Sequence, residues 1–421
     1  MAARVAHTRS SIMGSLTGLL ALLVFVNMYE TIMNVFRLGR SGFGYTLYTL
    51  GLAVVVIVLY LFDLLRGDKM NKFEILVWVF FGFVSLFAIM PLFESGTIAE
   101  VHNACTYFFA FCIPGFCAGG LLSRRNRYKA AAKWLDVIMV LLTASTVLFI
   151  VSGDSSYQTG VNYQGASYLC ALAFGINAHF LFKGDSYRRF SACSGELFRL
   201  FQIVLLPAQL LFTLASGGRG GAVLAACYFA YLVYEGLNSP KARKRFVLCV
   251  VLATAATVAF VSVYGFSLFE EGIRRVLMLF DAGAISNTSD SATNSISGRN
   301  VIRDESLFLI SQEPLLGYGL FDYYAVLKSY PHNIVLEVLL QGGITYLIAF
   351  SVIAVLVINR ARAVSKCSKQ LGAYYVIGFY AVLFLLFSGS YLSSAPFWAF
   401  VGMVVAFNLN NSRTNNEALT N

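Results

Sequence analysis

The residues whose type and setting could do chemistry on an anionic substrate are Arg219, Arg299, Arg303 and His332. Arg219 stands in Ser216-Gly-Gly-Arg-Gly-Gly221. Glycines on both sides leave backbone amides open to a ligand. A helix starting there adds free N–H groups and its positive end, which suits the segment to phosphate. A tight turn carrying an interfacial arginine accounts for the same residues. Arg299 and Arg303 are four apart and share a face on a helix, where an anion relieves their repulsion; Asp304 and Glu305 are ordinary partners for them. His332, in Tyr330-Pro-His-Asn-Ile-Val-Leu-Glu337, opens an apolar run. The positive end of that helix, and any arginine nearby, keep its imidazole neutral and able to take a proton from a hydroxyl. A helix-start histidine bonded to loop backbone is the plainer alternative. Glu337 is ionisable inside an apolar segment, a position that marks function by default, although pairing with the helix start or with Arg219 also explains it.

The elements that must position these groups are set by composition. Of 421 residues, 58% are apolar and 12% charged, with a mean hydropathy of +0.71. A soluble domain holds roughly 45–50% apolar and about 25% charged residues, so this chain lacks the polar surface to cover a water-exposed ball. Disorder, coiled coil, collagen and a small disulfide scaffold are excluded. Crossing a bilayer as a helix takes ~20 apolar residues. Runs of that kind fall at about 11–29, 43–65, 73–93, 102–122, 134–151, 165–182, 197–215, 220–236, 246–266, 332–357, 371–388 and 391–408. They are continuously apolar, unlike the alternating strands of a membrane barrel. The expected fold is an all-α polytopic bundle of about twelve spans.

Basic residues orient it. With the N-terminus inside, 22 of the 31 Lys and Arg fall on that side, most densely at Arg124, Arg125, Arg127, Lys129 and Lys133. Eight fall on the other side, including Arg37, Arg40, Arg219, Arg274, Arg275, Arg299, Arg303 and Lys328. Both termini are therefore expected in the cytoplasm. The net charge of +10 reflects this topology and attraction to anionic lipid, and basic residues spread over short loops make no nucleic-acid face. The first run lacks a small-residue cleavage site and reads as a span, not a signal peptide. The eight cysteines lie in spans or inner loops without partner histidines, so neither a disulfide framework nor a metal site is expected. No repeat is visible, which counts against inverted-repeat transporters.

One connection is long: residues 267–331, on the outer side, divide spans one to nine (1–266) from the last three spans and tail (332–421). Its Ser286–Ser297 stretch is polar and reads as mobile. Gly298–Ile310, with Val301, Ile302, Phe308 and Leu309 among charges, suits a helix at the membrane surface. Pro314 and Gly317-Tyr-Gly319 end it.

Taken in order, Gly-Gly-Arg-Gly-Gly at 217–221, Ser-Gly-Arg at 297–299, Pro-Leu-Leu-Gly-Tyr-Gly at 314–319, His-Asn-Ile-Val-Leu-Glu at 332–337 and Gly-Gly at 342–343 resemble the O-antigen ligase and O-antigen polymerase superfamily of bacterial membrane glycosyltransferases. The resemblance implies a GT-C-like fold that joins sugars on the outer face of the plasma membrane. The donor it implies is a glycan on polyprenyl pyrophosphate, with no cofactor and no required metal; attack from the face opposite the leaving group would invert the anomeric centre. It implies that Arg219 and Arg299 bind the pyrophosphate and that His332 is the essential base. Arg303 matches no motif position and stands on its spacing alone. Many relatives place a Trp shortly after Arg299, whereas this chain reads Val-Ile-Arg-Asp-Glu-Ser-Leu-Phe there. Partners implied are the lipid-linked glycan, membrane lipids, and flippase and chain-length regulator proteins. The reading favours a polymerase of repeat units for O-antigen, capsule or exopolysaccharide, with a ligase as the alternative. A lipid-linked oligosaccharide flippase or a solute transporter is the non-enzyme alternative.

Overall fold

The structure, a computed structural model, describes residues 2–28, 31–32, 43–94, 97–152, 163–183, 196–238, 240–264, 270, 274, 291–367 and 371–409. Arg37, Arg40, Arg275, Arg413, Cys193 and the stretch 286–290 lie outside them. The described residues contain helices and no strand. In chain order these are α1 (Ala2–Phe25), α2 (Phe43–Leu65), α3 (Lys72–Phe93), α4 (Ala99–Tyr107), α5 (Ile113–Ser123), α6 (Arg127–Ala131), α7 (Leu135–Ser152), α8 (Tyr163–Lys183), α9 (Glu196–Ala215) and α10 (Arg219–Leu237). There follow α11 (Pro240–Tyr264), α12 (Ser291–Gln312), α13 (Tyr323–Leu327), α14 (Ile334–Cys367), α15 (Gly372–Phe387) and α16 (Ala395–Ala406). Each apolar run of the sequence falls largely on one of them, except 102–122, which extends from α4 through residues 108–112 into α5.

By length and composition, seven helical stretches of the described residues are able to cross a membrane, and three further apolar helices are shorter. One of the seven, Ala99–Ile150, carries two of the apolar runs. Between those runs the chain bends where Arg125 and Asn126 take positive φ of 52° and 54°. The protein is a multi-pass helical membrane bundle.

Without water, helices associate through close packing of small residues. Gly115 and Gly119 of α5 face Ala395 and Ala399 of α16, and a Cβ on Gly119 would lie 1.9 Å from the Ala399 carbonyl oxygen. The helices thus touch backbone to backbone. Helix α8 is the most enclosed of the seven stretches, with 89% of its apolar window buried against 11% for α14. Side-chain amides fix its height. Asn177 Nδ2 donates to the Gln202 carbonyl at 2.9 Å and to Gln209 Oε1 at 3.0 Å, and Gln209 Nε2 donates to Thr143 Oγ1 at 2.9 Å. These bonds tie α8 to α9 and α9 to α7, and an unpartnered amide at such depth is costly.

Among the described residues, four of the basic residues assigned to the inner side pair with carboxylates. Arg124 meets Glu74 at 2.6 Å with both side chains buried, Arg127 meets Asp63, Arg125 meets Asp68 at 3.0 Å and Lys183 meets Glu235 at 2.6 Å. The N-termini of α8, α10 and α14 point to the opposite end.

Two features depart from the sequence reading of the long connection. Helix α12 starts at Ser291, so the later part of the polar stretch is helical and not a mobile tether. Its expected apolar face is divided: Leu309 is buried and Ile302 half-buried, while Val301 and Phe308 are more than 60% exposed. The turn after α12 also does more than end a helix. Helix α14 breaks at Gly342 and Gly343, where Gly343 adopts φ +60° and ψ −156°. Tyr318 N–H donates to the Leu340 carbonyl at 2.7 Å, Gly319 N–H to Gln341 at 2.9 Å, and Ile344 N–H to Pro314 at 2.9 Å. The Pro314–Gly319 segment thereby satisfies the backbone groups freed by the break.

Candidate active site

The first turn of α8 is the platform. It presents Gln164 and, one turn on, Tyr168, and three distant segments close on them. Arg299 of α12 donates through Nη2 to Gln164 Oε1 at 2.7 Å and through Nη1 to the Phe387 carbonyl at 3.5 Å. The fork is thus held by one amide and by the end of α15.

The glycine-rich turn lies against the same face. Arg219 is the first residue of α10, with Gly218 as its N-cap. Ser167 Oγ bridges the Gly218 and Thr213 carbonyls, each at 3.0 Å. A Cβ on Gly220 would stand 1.8 Å from the Tyr168 hydroxyl, and one on Gly221 2.1 Å from Ser167 Oγ. The sequence reading credits these glycines with opening the backbone to ligand. The structure gives Gly220 and Gly221 another reason, since α10 could not approach α8 with side chains there. Arg219 is therefore delivered, half-buried, beside the turn that carries Gln164.

His332 arrives from the third direction. It has φ +54° and follows Pro331, and Asn333 caps α14 by accepting from Val335 N–H at 2.9 Å and Leu336 N–H at 3.3 Å. The helix thus starts at Ile334, two residues later than the apolar run, and His332 stands outside the span. The His-Asn pair is explained locally: an Asx cap closes the helix end and the histidine takes the left-handed bend before it. His332 Nδ1 faces the Ser388 carbonyl at 3.4 Å, and Tyr330 donates its hydroxyl to the same oxygen at 3.0 Å. The Tyr330 and His332 rings lie 4.2 Å apart, and Ser388 Oγ meets the Tyr168 hydroxyl at 3.2 Å. A carbonyl only accepts, so the proton sits on Nδ1 and Nε2 carries the lone pair. Burial, and next the positive charge of Arg299, push the imidazole down to about 4, while the bond to Ser388 opposes them. At neutral pH it is an uncharged base.

Arg299, the turn bearing Arg219, and His332 are thus brought together around Gln164, Tyr168 and Ser388. Arg303 forks instead onto its neighbour Asp304 at 3.0 and 3.1 Å on the exposed side of α12. Glu337 is fully buried. Its Oε1 accepts from Tyr323 at 3.1 Å, from Gln341 at 3.4 Å and from Ser390. Gln164, Tyr168, Ser388 and Tyr330 escape a reading by motif. The signal that could have found Gln164 is an amide opening a long apolar run. Among the described residues no group of three His, Cys, Asp or Glu could hold a metal ion. A half-open cavity of about 800 Å³ lined by His179, Lys183, Tyr231 and Phe379 lies at the opposite, basic end, remote from this chemistry.

Residues 203–351 match the family model described as O-antigen ligase. Over that stretch, about a third of the chain, the match supports the resemblance to the O-antigen ligase and polymerase superfamily. No curated protein and no solved structure matches it. The matched stretch runs from within α9 to α14 and contains Arg219, Arg299, Arg303 and His332, whereas Gln164, Tyr168 and Ser388 lie outside it. The matched stretch holds the charged groups, and helices before and after it supply the neutral groups that meet them. The match supports a glycan-processing function in the membrane.

Proposed function

We propose that this protein is a metal-independent, inverting glycosyltransferase that polymerises oligosaccharide repeat units carried on polyprenyl pyrophosphate. The observation that carries the reading is the meeting of Arg299 and His332 on one patch, between Gln164 and Ser388, beside the turn that delivers Arg219. A sugar on pyrophosphate already has a good leaving group, so its departure calls for charge neutralisation more than for a strong acid. Preorganised guanidiniums supply that where water is scarce. The acceptor hydroxyl oxygen attacks the anomeric carbon from the face opposite the pyrophosphate. The bond from carbon to the pyrophosphate oxygen breaks, its electron pair leaves with the phosphate, and the hydroxyl proton passes to His332 Nε2. The anomeric centre inverts.

The matched family's description favours a second reading, a ligase that moves the finished chain to lipid A core or another acceptor. Both readings place the site on the extracytoplasmic face of a bacterial plasma membrane. Incubating the purified protein with one defined lipid-linked repeat unit tests the choice. A ladder of products without added acceptor is the polymerase outcome. Transfer that occurs only when a lipid A core acceptor is supplied selects the ligase.

A further inference from the structure

We infer that Glu337 is a positioning residue that braces the Ser388–Ser390 segment and through it aims His332. This deepens the reading above and rests on His332 being the base. Glu337 sits within α14, fully buried, and no cation is among its partners. Its Oε1 collects three donors, the hydroxyls of Tyr323 and Ser390 and the amide of Gln341, while its Oε2 is buried without a hydrogen bond. Holding such a carboxylate at membrane depth is unfavourable, and an apolar side chain would fill the place at lower cost. Stability alone therefore does not account for it.

Its contacts show what it does instead. Ser390 is two residues from Ser388, whose carbonyl receives both Tyr330 and His332 and whose hydroxyl meets Tyr168. Ser390 Oγ also accepts from Leu392 N–H at 3.1 Å, so the hydroxyl that reaches Glu337 organises the turn between α15 and α16. Tyr323 anchors the carboxylate from α13. Gln341, one turn along α14, accepts from Tyr391, and Tyr391 meets Tyr346 at 3.0 Å. One buried carboxylate thus joins α13, α14 and the α15–α16 turn directly beneath the histidine. If that brace is cut, the Ser388 carbonyl is free to swing and the imidazole loses its fixed orientation. A displacement on the order of 1 Å at a reacting group costs about 100-fold in rate.

The test uses the full-length protein in lipid nanodiscs, with Glu337→Ala, Glu337→Gln, Ser390→Ala and, as reference, His332→Ala. Each is assayed with a defined lipid-linked repeat unit for kcat and KM, with farnesyl pyrophosphate as a binding probe for the arginines. Glu337→Ala and Ser390→Ala should lower kcat about tenfold or more, with KM and farnesyl pyrophosphate affinity within about threefold of the parent. Glu337→Gln keeps an acceptor oxygen toward Ser390 and Tyr323 and should recover most of kcat. A Glu337→Ala protein with parental kcat, alongside an inactive His332→Ala protein, overturns the brace and leaves the base assignment standing. An active His332→Ala protein overturns the base assignment instead. Should Glu337→Ala fail to fold, Ser390→Ala decides alone, and parental kcat there rejects the inference. A Gln variant as poor as the Ala variant also rejects it, because the negative charge and not the brace would then matter.

Discussion

At the scale of single residues, the electrostatics around His332 make the sharpest expectations. Burial and Arg299 hold its imidazole near 4 in the free protein, below the ordinary 6.5. Protonation removes the base, so kcat/KM should fall as pH drops through about 4, well below the range of an ordinary histidine. Donor pyrophosphate neutralises the field of Arg299, so the acid limb of kcat should lie at higher pH than that of kcat/KM. Identical limbs near 6.5 in both profiles would contradict this electrostatic account. His332→Ala should reduce turnover by about 10²–10⁴-fold with the protein still in the membrane, measured as polymer formed per unit of inserted protein. On the proposed mechanism Arg299→Ala should cost about 10²–10³-fold in kcat by removing the charge that neutralises the leaving group. Gln164→Ala, which releases Arg299 Nη2, should be milder, about tenfold, since it loosens the fork without removing it. Arg219, Arg299 and His332 were legible in the sequence because charged and ionisable residues are conspicuous in an apolar chain. Gln164, Tyr168 and Ser388 were not, because polar neutral residues occur in many helices, and only the fold shows which of them face an arginine or a histidine.

At the scale of elements, the long connection shows how far periodicity reaches. The sequence identifies the helix of residues 298–310 and the turn after it, since Pro314 and two glycines punctuate the chain there. It does not show that the turn pairs with α14 across its break, because that pairing depends on backbone geometry at Gly343 and on nothing periodic. The consequence is testable. At φ +60° and ψ −156° only glycine is comfortable, and a Cβ on Gly343 would lie 2.4 Å from the Leu315 carbonyl carbon. Gly343→Ala should therefore destabilise the protein by about 1–3 kcal/mol and lower its melting temperature in detergent. It should also reduce activity, since α14 carries His332 at its start. The same substitution at Gly82, which has nothing within 4 Å of the added carbon, is the control and should leave the melting temperature nearly unchanged. Equal melting temperatures for the two variants would mean that the break tolerates a side chain and that the backbone pairing with Pro314–Gly319 is not what holds it.

At the scale of the whole molecule, polar and charged groups are sorted by end. One end carries Arg124–Glu74, Arg127–Asp63, Arg125–Asp68 and Lys183–Glu235; the other carries Arg219, Arg299 and His332 at the starts or along the rim of α10, α12 and α14. Positive charge counted along the sequence separates the same two sets, because alternate loops of an antiparallel bundle must emerge on alternate sides. Paired arginines at one end serve as anchors, and their carboxylates leave little charge for an anionic ligand. At the other end Arg299 meets neutral groups, Gln164 and a carbonyl, so its charge is available to a diphosphate, whereas Arg303 is paired with Asp304. The positive-inside rule predicts that the anchored end faces the cytoplasm. A cysteine introduced at Ser311 or at Lys69, both exposed and at opposite ends, tests that orientation in a background with Cys193, Cys227 and Cys367 changed to serine, which leaves only buried native cysteines. In intact cells stripped of their outer envelope, a membrane-impermeant maleimide should label Ser311→Cys and spare Lys69→Cys. After the membrane is opened both should react. The reverse pattern would face Arg299 and His332 toward the cytosol, where a donor delivered to the outer leaflet could not reach them, and a glycan-assembling role on the cell exterior would fall with it.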